Sequence, residues 1–261
     1  MIRKRGLFVS NDRLSEFVYK KLADISEVYP FSFSPVDFVR STVLDFGDID
    51  GVVGHLKKTG AREMVLIGSI TASSLFKNDM RASGKEFLSK CGPWQGEKIL
   101  ADLIAHIEKE GIKVLSLTMV MKEELAMEKV YTGGSLDALE QSDMEMGIRV
   151  LKDLMKYRAG QSVSVKNGMI VALEGIEGTD EMIRRAGKYC GQRGFVVVKI
   201  AGKNKDERFD MPVVGPQTVK VLKTAGGKVI AVEAGKTIIL DEEKTMKLCN
   251  ENRIKFLGVK P

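Results

Sequence analysis

Two acidic stretches carry the residue types that could do chemistry. The first, "DERFDMPVVGPQTV" (206–219), sets Asp206, Arg208 and Asp210 at alternate positions, followed by Pro212 and by Gly215-Pro216 at a helix start. In an extended chain all three charged side chains would project to one side. An arginine between two carboxylates holds them apart and can also bind a phosphate through two nitrogens. An isolated run of this kind is more often a self-neutralising surface loop. The second stretch, "EGIEGTDE" (174–181), follows a strand-like run. Here Thr179 is expected to cap the next helix and Gly178 to let a ligand approach, which makes an anion site at a helix N-terminus. Asp180 and Glu181 suit a first helical turn on dipole grounds alone. Glu174 and Glu177 have no such ordinary explanation.

Other chemistries are poorly supplied. The three cysteines, Cys91, Cys190 and Cys249, are odd in number and far apart, which excludes a disulfide framework and argues against thiolate zinc. His55 and His106 each stand alone in helix-like segments. Any metal must therefore be held by carboxylate oxygens, which suits Mg²⁺ or Mn²⁺. The net charge of +6 comes from 41 Lys+Arg against 35 Asp+Glu and is spread along the chain, while aromatics are 7%. Nucleic-acid binding would call for a basic stripe with interleaved aromatics. A mildly basic surface fits an anionic substrate or an anionic membrane surface equally well. The opening "MIRKRGLFVSNDR" is too short in apolar residues for a signal peptide, and no run is long enough to span a bilayer. A cytoplasmic protein is expected.

These candidates need a scaffold. At 261 residues, 44% of them hydrophobic, the chain suits two domains at roughly 150 residues each. "GLFV", a helical pattern through Leu14, Val18 and Leu22, "VYPFSF", "DIDGVVGHLKKTGA" with Asp48 near its cap and Gly60 at its end, and "EMVLIGS" alternate strand with helix. "QGEKILADLIAHIEKEG" is the strongest amphipathic helix, stopped by Gly111, and "IKVLSL" follows as a strand. The order implies a parallel sheet covered on both faces. The expectation is an α/β protein of two domains: a Rossmann-like parallel domain over 1–130, a linker at 131–136 with paired glycines, and a mixed-sheet domain over 137–261. In the second domain, Asn167-Gly168 signals a hairpin.

Ligands of open α/β sheets bind beyond the carboxyl ends of the strands. In the first domain those ends carry Ser10 and Asn11 in "SNDR", and Gly68 and Ser69 in "GSITAS". Such small polar loops bind phosphate or sugar through backbone N–H groups, although a plain strand-to-helix turn explains "SNDR" at least as well. In the second, Lys199 stands at a strand end as a plausible phosphate contact.

The stretch from about Gly160 to Gly258, with "EGTD" (177–180), "RFD-P--GP-TV" (208–219) and "VEAGKT" (232–237), resembles the C-terminal domain of the LpxI-type UDP-2,3-diacylglucosamine pyrophosphatases. The first half is similar to that family's first domain more faintly, through "GLFV", Leu14 and "LIGSI". Ser10-Asn11-Asp12 replaces the family's glycine-rich first turn, and Gly96-Glu97-Lys98 its Gly-Asp-Asp helix start. The resemblance implies Mg²⁺-dependent hydrolysis of a UDP-linked diacylated sugar by water attack on the α-phosphorus. UMP and 2,3-diacylglucosamine 1-phosphate, a step toward lipid A, would be the products. It assigns the essential aspartate to Asp210, with Asp206, Arg208, Glu177, Thr179 and Asp180 in support, and implies Asp206 and Asp210 as candidate ligands of the metal. It also implies transient contact with the inner membrane surface and a possible homodimer. Two alternatives stand beside it: a hydrolase of another nucleotide-diphospho-sugar, and a non-catalytic nucleotide or lipid binder of the same fold.

Overall fold

The structure is a computed structural model and describes residues 2–67, 85, 86, 89, 96–157, 160–201, 206–209 and 211–261. The chain forms two compact units. The first comprises Met1–Lys122 together with Asp206–Asp210, and the second Glu123–Lys205 together with Met211–Pro261.

The first unit runs β1 (Lys4–Phe8), α1 (Arg13–Ala23), β2 (Glu27–Ser32), β3 (Thr42–Val43), α2 (Ile49–Thr59), β4 (Glu63–Leu66), α3 (Gly96–Lys109), β5 (Lys113–Val114) and α4 (Leu117–Val120). Among the described residues its five strands are all parallel, in the order β3-β2-β1-β4-β5. β1 is central, which is why "GLF" reads as a continuous apolar run: Leu7 is fully enclosed and Phe8 nearly so. A Cβ on Gly6 would come within 2.1 Å of Leu56, so this glycine lets α2 lie directly on the sheet. Phe8, Phe31, Leu56, Met64, Ile104 and Ile107 fill that core. Strand order reverses between β1 and β4, the position at which Rossmann-type sheets receive ligands. Asp48 caps α2 and Gly60 ends it in the left-handed conformation, as the sequence suggests.

The second unit contains β6 (Lys129–Thr132), α5 (Ala138–Leu154), β7 (Ser162–Lys166), β8 (Met169–Leu173), α6 (Thr179–Tyr189), β9 (Val196–Lys199), β10 (Val213–Val214), α7 (Pro216–Ala225), β11 (Val229–Glu233), β12 (Ile238–Ile239), α8 (Glu242–Glu251) and β13 (Lys255–Val259). Six strands form a mixed sheet in the order β6-β13-β11-β9-β7-β8, and β10 pairs with β12 in a separate ribbon. The valines of β9, Val196, Val197 and Val198, are buried on both faces of the sheet. Val196 and Val198 meet the α5 side, while Val197 joins the core under α6 and α7. A Cβ on Gly147 would lie 2.6 Å from Val198, so α5 packs closest there. Asn167 and Gly168 both take positive φ at the hairpin turn, and the buried carboxylate of Asp143 accepts both of their N–H groups, at 2.8 and 2.7 Å.

The expected boundary requires correction. Residues 131–136 are not a linker between domains, because Tyr131 and Thr132 belong to β6, which pairs antiparallel with β13. Thr132 is buried and its hydroxyl donates to the Ile254 carbonyl at 2.8 Å. The glycine pair does turn the chain, with Gly133 and Gly134 both at positive φ, but it turns within the second unit. The units divide at Lys122/Glu123 instead.

Candidate functional site

Three helices of the second unit connect parallel strands: α6 joins β8 to β9, α7 joins β9 to β11, and α8 joins β11 to β13. Each therefore starts near the carboxyl edge of the sheet. None of the three has a side-chain cap. Each presents unsatisfied N–H groups and the positive end of its dipole there.

The best-furnished of these ends is that of α6. Its N-cap is Gly178, at φ 83°, a conformation that suits glycine and strains other residues. Thr179 is not the cap expected from sequence. It occupies the first helical position, and its hydroxyl is a junction between three strands. The Lys199 ammonium donates to it at 2.6 Å, it donates to the Glu174 carboxylate at 3.0 Å, and the Ser162 hydroxyl lies 3.3 Å away. Ser162 and Lys199 are cross-strand partners on β7 and β9. The other Glu174 oxygen accepts the Gln161 N–H at 3.1 Å. Lys199 is only 6% exposed. A buried ammonium at an uncapped helix N-terminus is a setting for a phosphate oxygen, and Glu174, one hydroxyl away, balances the charge when no anion is present.

The neighbouring candidates are arranged differently. Glu177 is exposed and turns away to Arg185, with its second oxygen accepting the Gly175 N–H at 3.1 Å. Asp180 is half-buried in the first turn of α6, where it complements the dipole. Glu233, at the end of β11, is a residue that sequence reasoning missed. It is buried, accepts the Ala201 N–H at 2.8 Å and pairs with Lys236 at 2.9 Å, so it fixes the exit of β9. The ending of "AVEAG" on a strand-terminal glutamate was its only sequence signal. Ser162 was also missed; with Ser164 it is one of two buried serines that alternate with valine along β7, and that alternation is its trace.

The stretch containing Asp206 behaves unlike its sequence expectation. It is not extended: Asp206–Phe209 is a turn, closed by the Phe209 N–H on the Asp206 carbonyl at 3.2 Å. Both Asp206 oxygens accept from the Arg208 guanidinium, at 2.6–3.1 Å, and one also accepts the Arg208 N–H at 3.0 Å. The remaining guanidinium nitrogen reaches Glu108 of α3 at 3.1 Å. The Glu207 carbonyl accepts the Leu117 N–H at 2.8 Å, its carboxylate accepts the Thr118 hydroxyl at 2.6 Å, and Phe209 packs on the first unit's core. The chain thus returns to the first unit for these residues. The Arg208 hydrogen bonds hold the Asp206 carboxyl below its usual range against the opposing effect of burial, and the same bonds raise the Arg208 guanidinium. A carboxylate with both oxygens in a guanidinium fork does not fit a metal ligand, because a cation would have to displace Arg208. Among the described residues no three His, Cys, Asp or Glu side chains converge as a metal site. Asp210 lies outside the described residues, as do Gly68 and Ser69.

At the first unit's switch point, Asp12 caps α1 by accepting the Ser15 N–H at 2.7 Å, and Ser10 donates to the same carboxylate. Asn11 makes a two-bond pair with Asp37, at 2.8 and 3.2 Å. "SNDR" is therefore a self-satisfied strand-to-helix turn with a carboxylate already at the helix end, where a phosphate would be repelled.

A parallel Rossmann-type unit followed by a mixed-sheet unit defines a two-domain α/β protein. Residues 24–124 match the LpxI N-terminal domain and residues 127–257 the LpxI C-terminal domain. The chain belongs to the LpxI family. It is 27% identical over 138 residues to the UDP-2,3-diacylglucosamine pyrophosphatase LpxI of Caulobacter vibrioides. That alignment takes in 50% of this chain and 49% of the relative, so the match spans about half the length of each.

Proposed function

We propose that this protein hydrolyses the pyrophosphate bond of UDP-2,3-diacylglucosamine, giving UMP and 2,3-diacylglucosamine 1-phosphate in lipid A biosynthesis. The observation that carries the reading is the buried Lys199–Thr179 pair at the uncapped end of α6, inside the region that matches the LpxI C-terminal domain. Phosphoryl transfer asks chiefly for positioning and charge neutralisation. In this reading Lys199 and the first N–H groups of α6 hold phosphate oxygens. As charge builds on those oxygens, the ammonium bond strengthens and the Thr179 hydroxyl remains oriented by Glu174. Asp210 is assigned to orient the attacking water. Arg208 offsets charge in the same stretch, and Asp206 braces it.

The reaction is further proposed to need Mg²⁺ or Mn²⁺, which would supply charge neutralisation on the diphosphate. Asp206 does not fit as a ligand, which leaves Asp210 as the candidate. A diacylated substrate also implies transient contact with the inner membrane from the cytoplasmic side. The capped Ser10–Asp12 turn favours a second reading in which the nucleotide portion differs, since that helix end is closed to phosphate.

The test is turnover of UDP-2,3-diacylglucosamine beside other UDP-sugars, before and after chelation. Hydrolysis in ¹⁸O-water should label UMP and leave the sugar phosphate unlabelled. Asp210→Ala should lower turnover by about 10²-fold or more with its melting temperature retained. Full activity in that variant would remove Asp210 from the mechanism, and undiminished turnover after chelation would remove the metal.

A further inference from the structure

Away from the carboxyl edge, α6 and α7 lie side by side on the outer surface of the second unit. They pack closely at Gly187, where a Cβ would meet the Ala225 carbonyl at 2.6 Å. Beside that contact runs an open groove of about 730 Å³ whose lining includes Arg184, Lys188, Gln192, Gln217, Lys220 and Thr224. Its charge is one-sided. Residues 182–193 hold Arg184, Arg185, Lys188 and Arg193 and no acid; residues 216–228 hold Lys220, Lys223 and Lys228 and no acid. Arg184 and Arg185 are compensated by Glu181 and Glu177. Lys188, Lys220 and Lys223 are exposed and make no ion pair with the described residues. At one end of the groove Lys166 donates to the Arg193 carbonyl, and the Lys228 stem passes within 3.1 Å of where a Gly194 Cβ would sit, so the positive surface continues to the hairpin. Tyr189, next to Lys188, is 70% exposed, and Met169 on the hairpin 65%.

We infer that this α6–α7 face is a docking surface for an anionic phospholipid bilayer. Unpaired lysines attract lipid phosphates at long range, and the exposed Tyr189, next to Lys188 on α6, can enter the headgroup layer. An open, shallow groove with flexible ammonium groups suits many headgroups on a plane better than one enclosed ligand. The placement rests on the proposed lipid substrate for its purpose, but its test involves no turnover.

The experiment is co-sedimentation of the full chain with vesicles of phosphatidylcholine containing phosphatidylglycerol, and with phosphatidylcholine alone. Each neutralised lysine should weaken binding about 5-fold, and Lys188→Gln/Lys220→Gln/Lys223→Gln together about 100-fold. A control with the same charge change on the first unit, Lys58→Gln/Lys109→Gln/Lys113→Gln, should bind like the wild type. These are exposed substitutions expected to leave folding nearly unchanged. Tyr189→Ser should weaken binding further without altering its salt dependence. Equal loss in the control would show diffuse charge attraction and overturn the inference. Failure of the wild type to bind anionic vesicles, or its release by inorganic phosphate at constant ionic strength, would overturn it too. Turnover of detergent-dispersed substrate should be the same in wild type and triple variant. An inactive wild type that still binds vesicles would sink the proposed hydrolysis and leave the docking face standing.

Discussion

The two units treat their helix beginnings in opposite ways. In the first, α1, α2 and α4 start at Asp12, Asp48 and Ser116, each of which accepts an N–H from the turn it caps. In the second, α6, α7 and α8 start at Gly178, Gly215 and Asp241 with no side-chain cap at all. The second unit can cap a helix: Asp137 and Glu140 form a complete capping box at α5, on the other face of the sheet. The uncapped ends are confined to the edge where ligands of such sheets bind. Glycine at an N-cap costs only roughly a few tenths of a kcal/mol relative to a capping side chain, so Gly178 and Gly215 leave the first N–H groups of α6 and α7 open to an anion at small cost in stability. Local stability and binding capacity compete for the same N–H groups.

The contrast can be broken most directly at Lys199. Lys199→Met removes the buried ammonium and should lower turnover by about 10²–10³-fold, and Thr179→Val should act in the same direction by unlinking it from Glu174. Steady-state kinetics beside thermal melting checks this; retained turnover in both variants would mean that the α6 end is not where phosphate binds. Asp12→Ala should do the reverse, costing about 1 kcal/mol of stability with turnover unchanged. Denaturant unfolding measures the first effect, and a parallel fall in activity would mean that the α1 end also serves the substrate.

The Asp206–Arg208 fork sharpens the comparison through pH. The fold holds the Asp206 carboxyl below its unfolded value of about 3.9, so the unfolded chain binds the proton more readily. The stabilisation is therefore full above about pH 4 and is lost as pH falls through the folded value. With a quarter of the Asp206 side chain exposed, the pair should contribute about 1 kcal/mol. Asp206→Asn should be less stable than wild type by that amount at neutral pH, and the gap should close below about pH 4. A gap independent of pH would show that the carboxylate's charge is not what matters.

The smallest effect concerns thiols. Burial pushes Cys249 up to about 12, whereas Cys190 is only partly buried. Iodoacetamide at mildly alkaline pH should modify Cys249 only when the second unit opens, and peptide mapping by mass spectrometry reads each cysteine separately. Rapid labelling of Cys249 in the folded chain would show that β13 and α8 separate easily.

Local chemistry made much of this molecule readable from its residues. The valine run of β9, the apolar stripe of α3, the Asn167-Gly168 turn and the Gly60 stop are each set by side-chain period or by φ preference within a few residues. The two-unit α/β plan follows from their order. The positions of Glu174, Gly178, Thr179 and Lys199 at strand ends or a helix start were also visible. Their mutual arrangement was not, since it depends on β7, β8 and β9 lying side by side. That register joins Ser162 to Lys199 and lets Thr179 bridge rather than cap. The same limit explains the misplaced linker: paired glycines announce a turn, but the β6 partner that decides which unit owns Tyr131 and Thr132 lies some 120 residues on. Alternation likewise suggested that Asp206 and Arg208 stand in a row. Arg208 instead folds back on Asp206 because Glu108 and the Leu117–Thr118 turn hold that stretch to the first unit. Sequence determined what each segment could become, through propensity and periodicity, which are local. Tertiary structure decided which charges meet, because the partners of a buried lysine or a clamped aspartate are supplied by distant segments of the chain.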